Sequence, residues 1–144
     1  MKTVLAILTV TLLTAAGFAD APLEGVYKLT GHSLDEGAKP YRGKVVIKKT
    51  NDVYHLIWLI GRGQAQTGVA LLDGDILSVT YVDLSGRDLG VSSFKVVSSK
   101  KLEGRWIPLG AKGRPGIERL EYLGPAQELP AERPAHMAKA QIDI

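Results

Sequence analysis

The side chains that could do chemistry in this chain are few and far apart. Its histidines, His32, His55 and His136, stand without a second ligand at metal-site spacing, so they point to no metal centre. Serines are plentiful, yet there is no Gly-x-Ser-x-Gly elbow, and no histidine and acid are set around a serine by sequence. The pattern therefore reads as a non-enzyme with no catalytic residue and no cofactor.

Glu118 is the titratable group with most to say. In Gly116-Ile117-Glu118-Arg119-Leu120 it shares parity with Leu120 and Tyr122, so in an extended chain it points where they point, toward an interior. A carboxylate there is costly without a partner. That predicts an internal hydrogen bond from the Trp58 or Trp106 indole or from a tyrosine hydroxyl, or else a role as a ligand-orienting group or an acid with raised pKa. Trp58, Trp106, Tyr54 and Tyr81 sit on apolar faces and either fill a core or wall a pocket. The candidate ligand-binding residues are thus Tyr54, Trp58, Tyr81, Trp106 and Glu118. The basic set Arg42, Lys44 and Lys48, with Lys49 beside it, reads as a solvated exterior, a site for an anionic partner being the lesser alternative.

The elements that must position these residues are strands. Period-two alternation recurs from Gly25 to Tyr122, whereas helical i, i+3, i+4 spacing is nowhere sustained between Asp20 and Leu123. Tyr27 and Leu29 share a face of the first strand; Gly43, Val45 and Ile47 share a face of the second, with Arg42, Lys44 and Lys48 opposite. The third, Val53 to Ile60, is largely apolar on both sides, which predicts that it is the most buried strand or that something covers its outer face. Asn51-Asp52 before it and Asp73-Gly74-Asp75 after the fourth strand are hairpin turns, because Asn, Asp and Gly tolerate left-handed backbone. The fourth strand, Gln66 to Leu72, carries small Gly68 and Ala70 on one face, leaving room for large side chains opposite. Ile76 to Val82, Leu89 to Val97, a strand around Leu102, Gly104 and Trp106, and Ile117 to Tyr122 complete eight.

Short strands at this spacing imply a meander, and closing first to last removes the unpaired edges an open meander would expose. The prediction is an all-β, single eight-stranded antiparallel up-and-down barrel. Eight strands leave an interior just wide enough for side chains or one small ligand. Loops 61–65, 83–88 and 110–116 would form its mouth.

The ends carry other information. Met1-Lys2, the apolar run Val4 to Leu13 and the small-x-small pattern Gly17-Phe18-Ala19 read as a signal peptide over residues 1–19, cut after Ala19. Export to the periplasm or exterior of a bacterium follows, with no transmembrane segment. The chain has no cysteine, so burial and hydrogen bonding alone must hold residues 20–123 together. Without Lys2, 17 Lys+Arg face 15 Asp+Glu, a balance of +2. So small a charge, without an exposed aromatic platform, argues against nucleic acid. Residues 124–144, broken by Pro125, Pro130 and Pro134, read as a disordered C-terminal tail.

Tyr41-x-Gly43-x-Val45-x-Ile47, Tyr54-x-Leu56-x-Trp58, Gly68, Leu102-x-Gly104-x-Trp106 and Gly116-x-Glu118-x-Leu120, in that order, resemble small exported bacterial proteins labelled fibronectin-binding proteins. The resemblance spans Leu23 to Leu123 and implies an avidin-like or lipocalin-like barrel; it brings no catalytic residues. Where such proteins run glycine-rich into Gly-Val-Val-x-Tyr, this chain has Gly90-Val91-Ser92-Ser93-Phe94. The expectation is an exported binding module that recognises an extracellular or envelope protein, or a small apolar ligand, at the barrel mouth. The alternative is an envelope-associated structural protein with a fully packed barrel and no ligand cavity.

Overall fold

The computed structural model describes residues 22–35 and 37–126, so the predicted signal peptide and all of the tail beyond Ala126 lie outside the described residues. Eight strands succeed one another: β1 (Gly25–His32), β2 (Tyr41–Thr50), β3 (Val53–Ile60), β4 (Gln64–Asp73), β5 (Ile76–Asp83), β6 (Leu89–Ser98), β7 (Lys101–Pro108) and β8 (Gly116–Gly124). Each is antiparallel to the next, and β1 pairs with β8 to close a barrel without a helix among the described residues. Closure gives every strand two partners and removes the exposed edges. Relative to the sequence reading, β4 begins two residues earlier and β8 reaches Gly124, one residue into the expected tail.

Side-chain alternation sorts the chain into inside and outside. In β6, Gly90, Ser92, Phe94 and Val96 are buried while Leu89, Val91, Ser93, Lys95 and Val97 are exposed. Tyr27, Leu29, Val45, Ile47, Leu56, Leu77, Phe94, Leu102 and Leu120 have no exposed surface and form the core.

The predicted cover over β3 is absent from the described residues. Its outward Ile57 and Leu59 are 42% and 45% exposed, and the bare apolar face continues to Val69, Leu71 and Val91 at 52%, 63% and 54%. The register sets these residues on one outward face with polar neighbours among them: Ile57 pairs with Thr67, Val69 with His55 and Thr80, and Thr80 with Val91. β-branched and apolar residues suit a pleated strand whether or not anything lies over them, so an apolar face need not be a covered one.

The two ends of the barrel differ. At one, β2–β3, β4–β5 and β6–β7 are joined through residues 51–52, 74–75 and 99–100, since Thr50 pairs Val53, Asp73 pairs Ile76 and Ser98 pairs Lys101. Asn51 (φ +54°) and Gly74 (φ +59°) supply the left-handed backbone that such short turns require. The segment leading into β1 shuts this end. Leu23 is 1% exposed, its carbonyl accepts the Tyr27 hydroxyl at 2.9 Å, and Glu24 accepts the Lys49 amide at 2.9 Å. Tyr27 meets Tyr122 edge-on, centroids 5.5 Å apart. The longer loops, 33–40, 61–63, 84–88 and 109–115, gather at the opposite end.

Candidate functional site

At the long-loop end the barrel is hollow. A cavity of about 230 Å³ is lined by the aromatic residues Tyr41, Trp58, Tyr81 and Trp106, by Glu118 and Ser92, and by Ser33, Lys39, Ile60, Gln64 and Gln66. Strand parity delivers most of this set. Tyr41 opens β2 on the side of Gly43 and Val45; Trp58 follows Leu56; Tyr81 follows Val79; Trp106 follows Gly104; Glu118 precedes Leu120.

The aromatic walls share one construction, a ring laid over a glycine directly across the ladder. Tyr41 pairs with Gly31, Tyr81 with Gly90 and Trp106 with Gly116, and a Cβ at any of these glycines would overlap the facing ring. Phe94 covers Gly104 in the same way deeper in the core. Gly68, opposite Tyr81, gives way to Trp58, as its small size predicted. Each glycine lets an aromatic ring lie back against the barrel wall, which is what keeps the mouth open. Tyr41 and Trp106 are inclined at 66° with centroids 6.3 Å apart, and Trp58 and Tyr81 at 54° and 6.3 Å, so neither pair stacks face to face.

Glu118 is 5% exposed. The Tyr41 hydroxyl donates to Oε1 at 2.8 Å and the Trp58 Nε1–H donates to Oε2 at 3.3 Å. One partner is therefore the predicted indole; the tyrosine comes from β2. Burial pushes the Glu118 carboxyl above its ordinary pKa, and the two donors pull partly against that shift. Burial, then the neighbouring Glu118 charge and the hydrogen bond to it, keep Tyr41 protonated far into the alkaline range. Tyr81 is pushed up to about 12 by burial, then by the charges of Glu118 and Asp88. The Trp106 Nε1–H is buried over Gly116 without a hydrogen-bond partner among the described residues. A carboxylate accepts about four hydrogen bonds, so two donors leave Glu118 with capacity for a ligand.

Of the sequence candidates, Trp58, Tyr81, Trp106 and Glu118 come together at the cavity. Tyr54 does not. It is the first inward residue of β3, at the closed end, buried in the core with Lys49 Nζ 5.5 Å from its ring centroid, a barrel's length from the strand's last inward residue. Beyond the sequence candidates the cavity takes in Tyr41, Ser33, Lys39, Ile60, Gln64, Gln66 and Ser92, and the β1–β2 loop joins the mouth. Parity with Val45 and the ladder partner Gly31 were the available signals for Tyr41. In that loop the Ser33 hydroxyl donates to Asp35 at 2.9 Å, and Asp35 abuts Gly113, bringing the β1–β2 and β7–β8 loops together. The β5–β6 loop is braced by Asp83, which accepts the amides of Arg87 and Asp88 at 2.8 and 3.1 Å and the Ser85 hydroxyl.

No family model and no curated protein matches this chain, so the likeness to fibronectin-binding proteins finds no support there. Solved structures do match. A de novo designed fluorescence-activating β-barrel has TM-score 0.54 and 16% identity, covering 69% of this chain and 93% of that one. A redesigned β-barrel bound to DFHBI has TM-score 0.56 and 16% identity, covering 69% of this chain and 97% of that one. At such identity the likeness is one of architecture, and it places this chain among small eight-stranded antiparallel β-barrels.

Proposed function

We propose that this chain is an exported, non-enzymatic binding protein that takes a small, largely apolar ligand into the open end of its barrel. One observation carries the reading: the interior is filled solid from the Leu23 end, yet about 230 Å³ stays open at the other, walled by four aromatic rings. A packed structural barrel has no use for that space, and its aromatic residues would close over it. The volume falls below the ~300 Å³ at which ordinary ligand sites begin, but exceeds the roughly 150 Å³ that holds benzene in an engineered cavity. A single substituted ring or a compact branched molecule is the size class. Binding of DFHBI by a barrel of similar architecture supports the reading.

The test is a titration of the purified chain with a broad panel of small molecules, read by tryptophan emission and by thermal melting. Trp58 and Trp106 both line the cavity, so a bound ligand should shift emission and raise the melting temperature. No response in either signal across the panel would sink the proposal.

A second reading rests on the bare outer face of Ile57, Leu59, Val69, Leu71 and Val91. Large apolar side chains clustered on one exposed face favour association, so assembly with an envelope or extracellular protein through this face is the alternative. A sedimentation profile that is monomeric at all concentrations, and that bacterial envelope fractions leave unchanged, counts against it.

A further inference from the structure

Resting on the cavity reading above, we propose that the ligand is a small organic cation, an alkylated ammonium or amidinium group seated beside Glu118 among the aromatic rings. Two independent features converge on it. The first is charge. Glu118 is buried, and the partners that reach it, Tyr41 and Trp58, are neutral donors; no lysine, arginine or histidine forms an ion pair with it among the described residues. The ion pairs that do occur lie on the outer surface, with side chains at least one third exposed. A buried carboxylate without a countercharge is costly, and a cation entering the cavity is the missing partner. Its arrival also favours the ionised carboxyl that burial alone disfavours.

The second feature is the walls. Tyr41, Trp58, Tyr81 and Trp106 line the same cavity as the carboxylate, and neither inclined pair buries its ring faces by stacking. Aromatic faces attract cations within about 6 Å of the ring centroid, most strongly when desolvated, and a ring of them is the recurrent way proteins hold alkylated ammonium groups. An anion would meet the Glu118 charge at close quarters. A neutral apolar molecule of the same shape would gain the rings and nothing from the carboxylate. Lys39, at the mouth, is exposed, and it disfavours a second positive charge on the outer part of the ligand. The class is therefore a monocation with an uncharged or acceptor-bearing tail.

Three probes of one shape separate the terms: choline, its uncharged isostere 3,3-dimethylbutan-1-ol, and the anion 3,3-dimethylbutanoate. Each is titrated into the full chain near neutral pH and followed by tryptophan emission and calorimetry. Choline should bind at least tenfold more tightly than the alcohol, and the anion should be weakest. Glu118→Gln should bring choline and the alcohol to within about twofold of each other. Equal or tighter binding of the alcohol or the anion by the parent chain overturns the cation assignment whether or not the variant folds, as does a preference that survives in Glu118→Gln. If all three fail while a neutral compound from the broad panel binds, the cation assignment falls and the cavity reading stands. If nothing binds, both fall.

Discussion

Replacing Gly104 by alanine tests the construction that shapes this barrel. In an extended strand, Gly→Ala ordinarily stabilises by about 0.4–1 kcal/mol, because alanine restricts the unfolded chain. Gly124→Ala should follow that rule, for a Cβ there meets nothing within 4 Å among the described residues and the backbone is not left-handed. Gly104 should reverse it. Its Cβ would overlap the ring of Phe94, which has no exposed surface and no free side of the core to move into. Overpacking of this kind costs roughly 1–3 kcal/mol, which outweighs the unfolded-state gain. With a urea m-value of about 2 kcal/mol/M, a net loss of ~2 kcal/mol lowers the unfolding midpoint by about 1 M. Denaturation followed by tryptophan emission, with slopes compared to ensure the same transition is read, checks both variants. If Gly104→Ala proves as stable as the parent, the idea that glycines are present to receive aromatic rings fails, and with it the explanation of the open mouth.

Other outcomes follow from the same structure. Gly116→Ala should drive the Trp106 indole off the wall, changing its emission and weakening any cavity ligand several-fold, while a Gly124→Ala control does neither. Tyr27→Phe should cost about 0.5–1.5 kcal/mol in chemical denaturation through loss of the bond that holds Leu23 across the closed end; an unchanged midpoint would remove Leu23 from its role as a plug. Tyr27 and Tyr81 have pKa values pushed up to about 12, chiefly by burial, and Tyr41 higher still. Above pH ~10 the unfolded tyrosines lose protons that the folded ones keep, so stability should fall as pH rises, by on the order of 1 kcal/mol per pH unit for each tyrosine. Phenolate absorbance showing all five tyrosines titrating near 10 in the folded chain would refute this. Glu118, raised by burial, acts with the same sign at lower pH: the unfolded carboxyl ionises first, so stability falls as pH climbs from about 4.5 through the raised value. Glu118→Gln should flatten that part of the stability profile.

Local rules suffice to specify the barrel. Period-two patterning, turn residues such as Asn51 and Gly74, and the need to leave no edge unpaired are local or nearly local constraints, and together they specify eight strands and which side of each faces in. They also placed Glu118 inside and named an indole among its partners, because parity and the cost of a bare carboxylate are properties of one strand. What lies along the barrel axis was beyond that reasoning. Tyr54 and Trp58 share a face of β3, yet one is sealed in at the Leu23 end and the other lines the mouth; parity is blind to height. The β1–β2 loop brings Ser33 and Lys39 to the mouth where the closing pair β1–β8 sets that loop against β7–β8, a contact across most of the chain. An apolar outer face on β3 likewise announced burial that the described residues do not provide. Hollowness was decided last and least locally: it depends on rings from several strands lying back on glycines of their neighbours, and on a leucine ahead of the first strand stopping only one end.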